Sequence, residues 1–138
     1  MTNELRVVEL YGENSNGAQT RYLCASAASI TKGTILMLSD PRTAATSTGT
    51  GDVFAGIASM DKDGTDNSTS ISAWNNGVFE AIASLAIVVG QKVKTAAGSL
   101  NQVMAFDEAD GTSSYAIMVG TALETAADGE TINIKVNN

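Results

Sequence analysis

Apolar positions along this chain fall in short alternating runs separated by turns. The last run is the cleanest: Ile132, Ile134 and Val136 alternate with Asn133, Lys135 and Asn137, the period-two pattern of a strand with one buried face. Thr69, Ile71 and Ala73 alternate with Ser70, Ser72 and Trp74 in the same way, which puts Trp74 on the polar face. Shorter strands are read at Glu4 to Leu10, with Leu5 and Val7 on one face and Val8 and Leu10 on the other, and at Tyr22 to Ala25. Thr34 to Leu38 and Tyr115 to Leu123 are nearly continuous apolar runs, predicting strands buried on both sides. Val53 to Met60 carries Gly56 inside it, the mark of a bulge or a close backbone approach. Lys92 and Lys94 point one way and Val93 and Thr95 the other, with Gln102 to Phe106 pairing back after a turn at Ala97-Gly98.

Turn chemistry separates these runs. Lys32-Gly33, Asp40-Pro41, Asp61 to Ser68 and Asp128-Gly129 all read as turns. Asn76-Gly77 lies between apolar runs, and both residues tolerate positive φ, so a two-residue hairpin is expected there. Tyr11 to Thr20, the small-polar stretch Thr43 to Asp52 and the acidic stretch Asp107 to Ser114 read as loops. Glu80 to Val89 is ambiguous. Ile82, Leu85, Ala86 and Val89 have helical spacing, but Ile87, Val88 and Val89 are β-branched. The reading is a strand and a turn, with one helical turn near Ser84 to Ala86.

The chain also echoes itself. Ile30, Gly33, Gly56-Ile57-Ala58, Gly64 and Ile71 recur in order as Ile87, Gly90, Gly120-Thr121-Ala122, Gly129 and Ile132. Two similar β-units on a shared core would produce this, each covering the apolar face the other leaves exposed. The expected fold is all-β: a compact β-barrel or β-sandwich of two similar units, with an N-terminal stretch able to extend as an arm. Residues 1–20 form that strand, arm and loop, and residues 21–138 a single β domain.

Composition narrows the chemistry. The chain of 138 residues has no histidine and one cysteine, Cys24, which removes Ser-His and Cys-His nucleophile pairs, a disulfide within the chain, and a zinc site of the usual kind. Cys24 sits in an alternating run and reads as a buried, inert thiol. Eight Lys and Arg against fifteen Asp and Glu give a net charge of −7, a field that repels nucleic acid. The start, MTNELRVVEL, has no basic and apolar leader pattern, and the longest apolar run, Leu85 to Val89, is far short of a membrane span. Asp61-Lys62-Asp63-Gly64-Thr65-Asp66 resembles the opening of a calcium loop but has its glycine out of register, with Ser72 where a glutamate is needed. No catalytic residue, cofactor or metal is expected. The candidate partner contacts are Leu5, Val7, Tyr11, Trp74, Asn75 and Asn76, from the N-terminal stretch and the expected hairpin tip.

The C-terminal half carries a resemblance. Gly77-Val78-Phe79-Glu80 leads to Ile87, Gly90 and Val93, and the chain closes on Gly120, Ala122, Leu123, Glu124, Gly129, Ile134 and Val136. In this the sequence resembles the capsid cement, or head decoration, proteins of tailed bacteriophages; Ile30 to Ala58 carries the likeness more weakly. The resemblance implies a non-enzymatic virion structural protein, made in the host cytoplasm and docked on the capsid exterior. Its partners would be the major capsid protein and copies of itself, a trimer being favoured, with no nucleic acid or membrane. The alternative from the residues is a carbohydrate-binding or adhesin-like β module, with Trp74 against a sugar.

Overall fold

In the computed structural model, which describes residues 4–11, 19–49, 52–96, 101–106 and 115–137, the alternating runs become eleven strands. These are β1 (Arg6–Leu10), β2 (Gln19–Leu23), β3 (Ile35–Asp40), β4 (Thr43–Thr46), β5 (Phe54–Ala58) and β6 (Ser70–Trp74), then β7 (Asn76–Ala83), β8 (Lys92–Thr95), β9 (Gln102–Ala105), β10 (Met118–Ala122) and β11 (Thr131–Asn137). Among the described residues the one helical turn is a 3-10 turn at Tyr115–Ile117. Ser84 and Leu85, where a helical turn was expected, form a bend instead. The expected turn at Ala97-Gly98 and the acidic loop at 107–114 lie outside the described residues, as do residues 12–18.

Two closed five-stranded barrels result. β2, β4, β3, β5 and β6 close the first, and β7, β11, β10, β8 and β9 close the second, with β1 added beside β7. Their wiring is the same strand for strand. In each barrel the first strand pairs in parallel with the third, β2 with β4 and β7 with β9. Each first strand also pairs antiparallel with the last, β2 with β6 and β7 with β11. Even the irregularity repeats: β3–β5 slips register beyond Leu36–Gly56, and β8–β10 slips at the matching Val93–Gly120.

The echo in the sequence falls on equivalent places. Ile30 bridges Lys62 as Ile87 bridges Ala126. Gly33 and Gly90 have φ of 93° and 90°, and their amides donate to Ala58 and Ala122 at 2.8 and 2.9 Å. A narrow barrel needs small residues inside, and this explains β4. Ala44 is buried there, so part of the small-polar stretch read as a loop is a barrel strand.

Asn76-Gly77 is not a hairpin. β6 pairs with β2 and β5, and β7 with β1, β11 and β9, so Asn75 is the crossover from one barrel to the other. Gly77 is needed for a different reason: a Cβ there would lie 2.6 Å from the Glu9 carbonyl of β1. Strand β1 therefore lies in the chain's own sheet, with Arg6 paired to Glu80.

The joint between the barrels explains Trp74. Across β3, β5 and β6, Ile35 faces Ile57 and Ile57 faces Trp74, forming one row of side chains on the outer wall of the first barrel. These residues, with Leu5 and Phe54, belong to the same buried cluster as Phe79 and Val136 of the second barrel. The Trp74 and Phe79 rings lie 5.8 Å apart. Trp74 is thus buried, 6% exposed, and not on a polar face as alternation suggested. At Trp74 strand β6 is covered on both sides, by its own barrel and by the next, while Ser70 and Ser72 on the same face stay half-buried. The Ile35 amide also donates to the buried Asn101 Oδ1 on the β8–β9 turn at 2.9 Å.

Lys62 is the buried cation of the first barrel, its side chain 1% exposed. Its Nζ donates to the Ser26 and Ala28 carbonyls at 3.0 and 2.9 Å and lies 3.7 Å from Asp66, pinning the loop before Ile30. Lys62→Met is expected to lower stability by about 1–3 kcal/mol, because two carbonyls lose a charged donor. Urea unfolding would show it as a lower midpoint at unchanged slope.

Candidate docking surface

Burial sorts the sequence candidates. Leu5 and Trp74 lie together inside the protein, in the joint, and this corrects their placement as surface contacts. Asn75 is half-buried and braces the crossover: its Nδ2 donates to Ala55 O at 3.1 Å, and its Oδ1 accepts from the Thr20 hydroxyl. Asn76 is half-buried at the start of β7. Val7 is exposed, and the half-buried Tyr11 lies under Lys135, whose Nζ is 5.9 Å from its ring centre. Only Val7 and Tyr11 of the six present substantial side-chain surface outside the joint and crossover.

The acidic turn spends its carboxylates locally. Asp63 accepts from the Thr65 amide and hydroxyl, both at 3.0 Å, and the amide above all, then the hydroxyl, hold its carboxyl below the usual range. Asp61 accepts from the Lys32 amide at 2.7 Å and Asp66 from the Ser68 amide at 2.7 Å. Among the described residues no group of three or more His, Cys, Asp or Glu is placed to hold a metal. Burial pushes the Cys24 thiol up, away from the thiolate a nucleophile needs.

A surface that pattern reading missed lies at one end of the second barrel. The loops 84–91 and 123–130 run side by side there. Ile87 and Ala126 exchange two backbone bonds at 2.9 Å, and the Val89 amide donates to Thr125 Oγ1 at 3.1 Å. The acids of this end turn inward to backbone amides. Asp128 accepts from Leu85 at 2.9 Å, Glu130 from Ala127 at 2.7 Å and Glu124 from Asn133 at 2.9 Å. The apolar side chains are left outermost: Leu85, Val88, Val89 and Leu123 are 60, 54, 56 and 45% exposed. Leu85 is even held at φ 67°, a conformation that costs a leucine about 1–2 kcal/mol. Four exposed apolar side chains on loops anchored in this way make this end of the barrel a candidate contact surface. At the matching end of the first barrel stand Thr31, Lys32 and Ser59, so the patch belongs to one copy alone. In sequence this run reads only as strand, turn or helix, and its spacing says nothing of whether the side chains end up inside or outside.

A second difference separates the copies. The second barrel's counterpart of the Ile35–Ile57–Trp74 row is Lys92–Thr121–Lys135, paired in the same register. The Lys92 Nζ donates to Thr121 Oγ1 at 3.0 Å, and Lys94 stands opposite Met118 in the same sheet. The wall that is apolar and covered in one barrel is basic in the other, where Lys92 and Thr121 are half-buried and Lys135 is exposed.

This arrangement has a counterpart among solved structures. The crystal structure of the head fiber gp8.5 N base in bacteriophage phi29 superposes with a TM-score of 0.53, covering 87% of this chain and 93% of that one, at 15% sequence identity. The two share a fold. No protein-family model matches the sequence, and no curated protein matches it.

Proposed function

We propose that this chain is a virion structural protein, a decoration subunit seated on the outside of an assembled phage head. The observation that carries the reading is the fold shared with the phi29 head fiber base over nearly the whole length of both chains. The motif resemblance in residues 77–136 points the same way. The apolar end of the second barrel supplies the docking surface, with the exposed Val7 as a secondary contact. The shell partner is the major capsid protein, and the subunit works as a homo-oligomer, a trimer on the sequence reading.

The mechanism is linkage without catalysis. A protein that binds only the assembled lattice shifts the equilibrium away from disassembly, by an amount set by its concentration over its Kd. Each contact can be modest, on the order of 800 Å² per partner. Touching two shell subunits makes the second contact intramolecular and prolongs retention. The rival sugar-binding reading loses its platform, since Trp74 is inside the joint.

The test is to mix the purified protein with undecorated, expanded heads of the phage that encodes it. It should sediment with them and raise their melting temperature; failure to co-sediment would overturn the reading. The double variant Val88→Asp, Leu123→Asp should keep its own melting temperature, because both side chains are exposed. Its retention on heads should fall about tenfold or more, since docking would bury two unpaired carboxylates.

A further inference from the structure

The chain contains one worked example of an extended segment docked on a barrel. At the first barrel the Leu5 amide donates to the Gly33 carbonyl at 2.9 Å, and the backbone comes so close that a Cβ on Gly33 would lie 2.4 Å from Leu5 O. The Leu5 side chain joins the cluster that holds the Ile35–Ile57–Trp74 row. At the second barrel no described residue occupies the same place. Gly90 has the same φ, yet among the described residues nothing lies within 4 Å of where its Cβ would be, and none donates to its carbonyl.

What would receive a segment there has changed chemically. In place of the apolar row are Lys92, Thr121 and Lys135, bordered by Val88, Val89 and Leu123. The ion pairs among the described residues are Arg6–Glu80 and Lys62–Asp66, so none of these lysines has a described carboxylate partner. That is notable in a chain of net charge −7. Lys92 uses one ammonium proton on Thr121 and keeps two. A leucine placed as Leu5 is would border two lysines, one with its ammonium on Thr121 and one with its ammonium over the Tyr11 ring; a carboxylate would match their charge.

We infer that the Gly90 strip of the second barrel docks an extended acidic segment of the shell protein. A backbone N–H of that segment meets the Gly90 carbonyl. The carboxylate that takes Leu5's place lies on Lys92 and Lys135, and the flanking apolar side chains cover Val88, Val89 and Leu123. This is strand-like peptide recognition, with the backbone giving affinity and the side chain giving selectivity. It rests on the decoration reading above. A second copy of this chain is the poorer occupant, because its own Leu5 segment is already buried.

The probe is the capped peptide of residues 2–7 carrying Leu5→Glu, with the unsubstituted peptide as control, titrated into the 15N-labelled full chain. The acidic peptide should give saturable shifts at the amides of Gly90, Lys92 and Lys135. These should weaken with added salt and fall at least about fivefold in affinity in Lys92→Ala, Lys135→Ala, a change of the size expected for losing charged contacts. Absence of saturable shifts, shifts indifferent to the lysine variants, or equal binding of the control peptide would overturn the inference. On heads, wild-type retention with loss in the lysine variant supports it. Equal retention of both overturns the inference and leaves the decoration reading standing, whereas no retention of either overturns that reading itself. Light scattering that shows an oligomer dissolved by the lysine substitutions would assign the strip to a second copy and also overturn the inference.

Discussion

Trp74→Ala will cost about 3–5 kcal/mol, a third or more of the stability of a typical domain of this size. The side chain is 6% exposed and lies in the cluster joining the two barrels, against the Phe79 ring. Its removal leaves a cavity that two closed barrels are too stiff to collapse around. Trp74→Phe separates packing from polarity. Among the described residues the indole Nε1 is buried without a hydrogen-bond partner, so phenylalanine loses volume and no bond, and about 1–2 kcal/mol is expected. Denaturation followed by far-UV circular dichroism measures both without relying on the lost fluorophore. An alanine loss below about 1 kcal/mol would mean that the barrels are not packed through this residue.

Gly33→Ala and Gly90→Ala form a matched pair with unequal expected losses. Both place a methyl-bearing residue at φ near 90°, which costs about 1–2 kcal/mol in each case. Gly90→Ala stops there, because its Cβ would meet nothing among the described residues. Gly33→Ala must also displace the Leu5 backbone from 2.4 Å, giving up the burial of a leucine worth about 1.5–3 kcal/mol. The first variant should therefore be the less stable by roughly that difference in urea midpoint times slope. Equal losses would show that the N-terminal segment is not seated on the first barrel in solution.

Much of the fold could be read from the residues, because strands with one wet face announce themselves by alternation. Ile132, Ile134 and Val136 did so, and all three are buried. The internal echo also carried through, because Gly33 and Gly90 answer the same backbone demand in each copy. What failed were inferences that depend on which strands become neighbours. Asn76-Gly77 has the chemistry of a hairpin, yet Gly77 makes room for Glu9, about seventy positions earlier in the chain. Trp74 departs from the alternation because the second barrel covers that end of β6, while Ser70 and Ser72 on the same face stay half-buried. Leu85, Val88 and Val89 were weighed as helix or strand by spacing and β-branching, and only the pairing of Ile87 with Ala126 puts their loops side by side. The parallel closure of each barrel leaves no local signature at all, since β2 and β4 are joined through β3.

Because only one copy of the cross-strand row is apolar, the two halves of the polypeptide are not interchangeable. Severed at Asn75, the leading half would surface a greasy wall of isoleucine, phenylalanine and tryptophan and clump, while its twin would keep a wetted flank. The two like barrels thus have unlike fates: one wall is given up to the inside of the molecule, the other keeps its lysines.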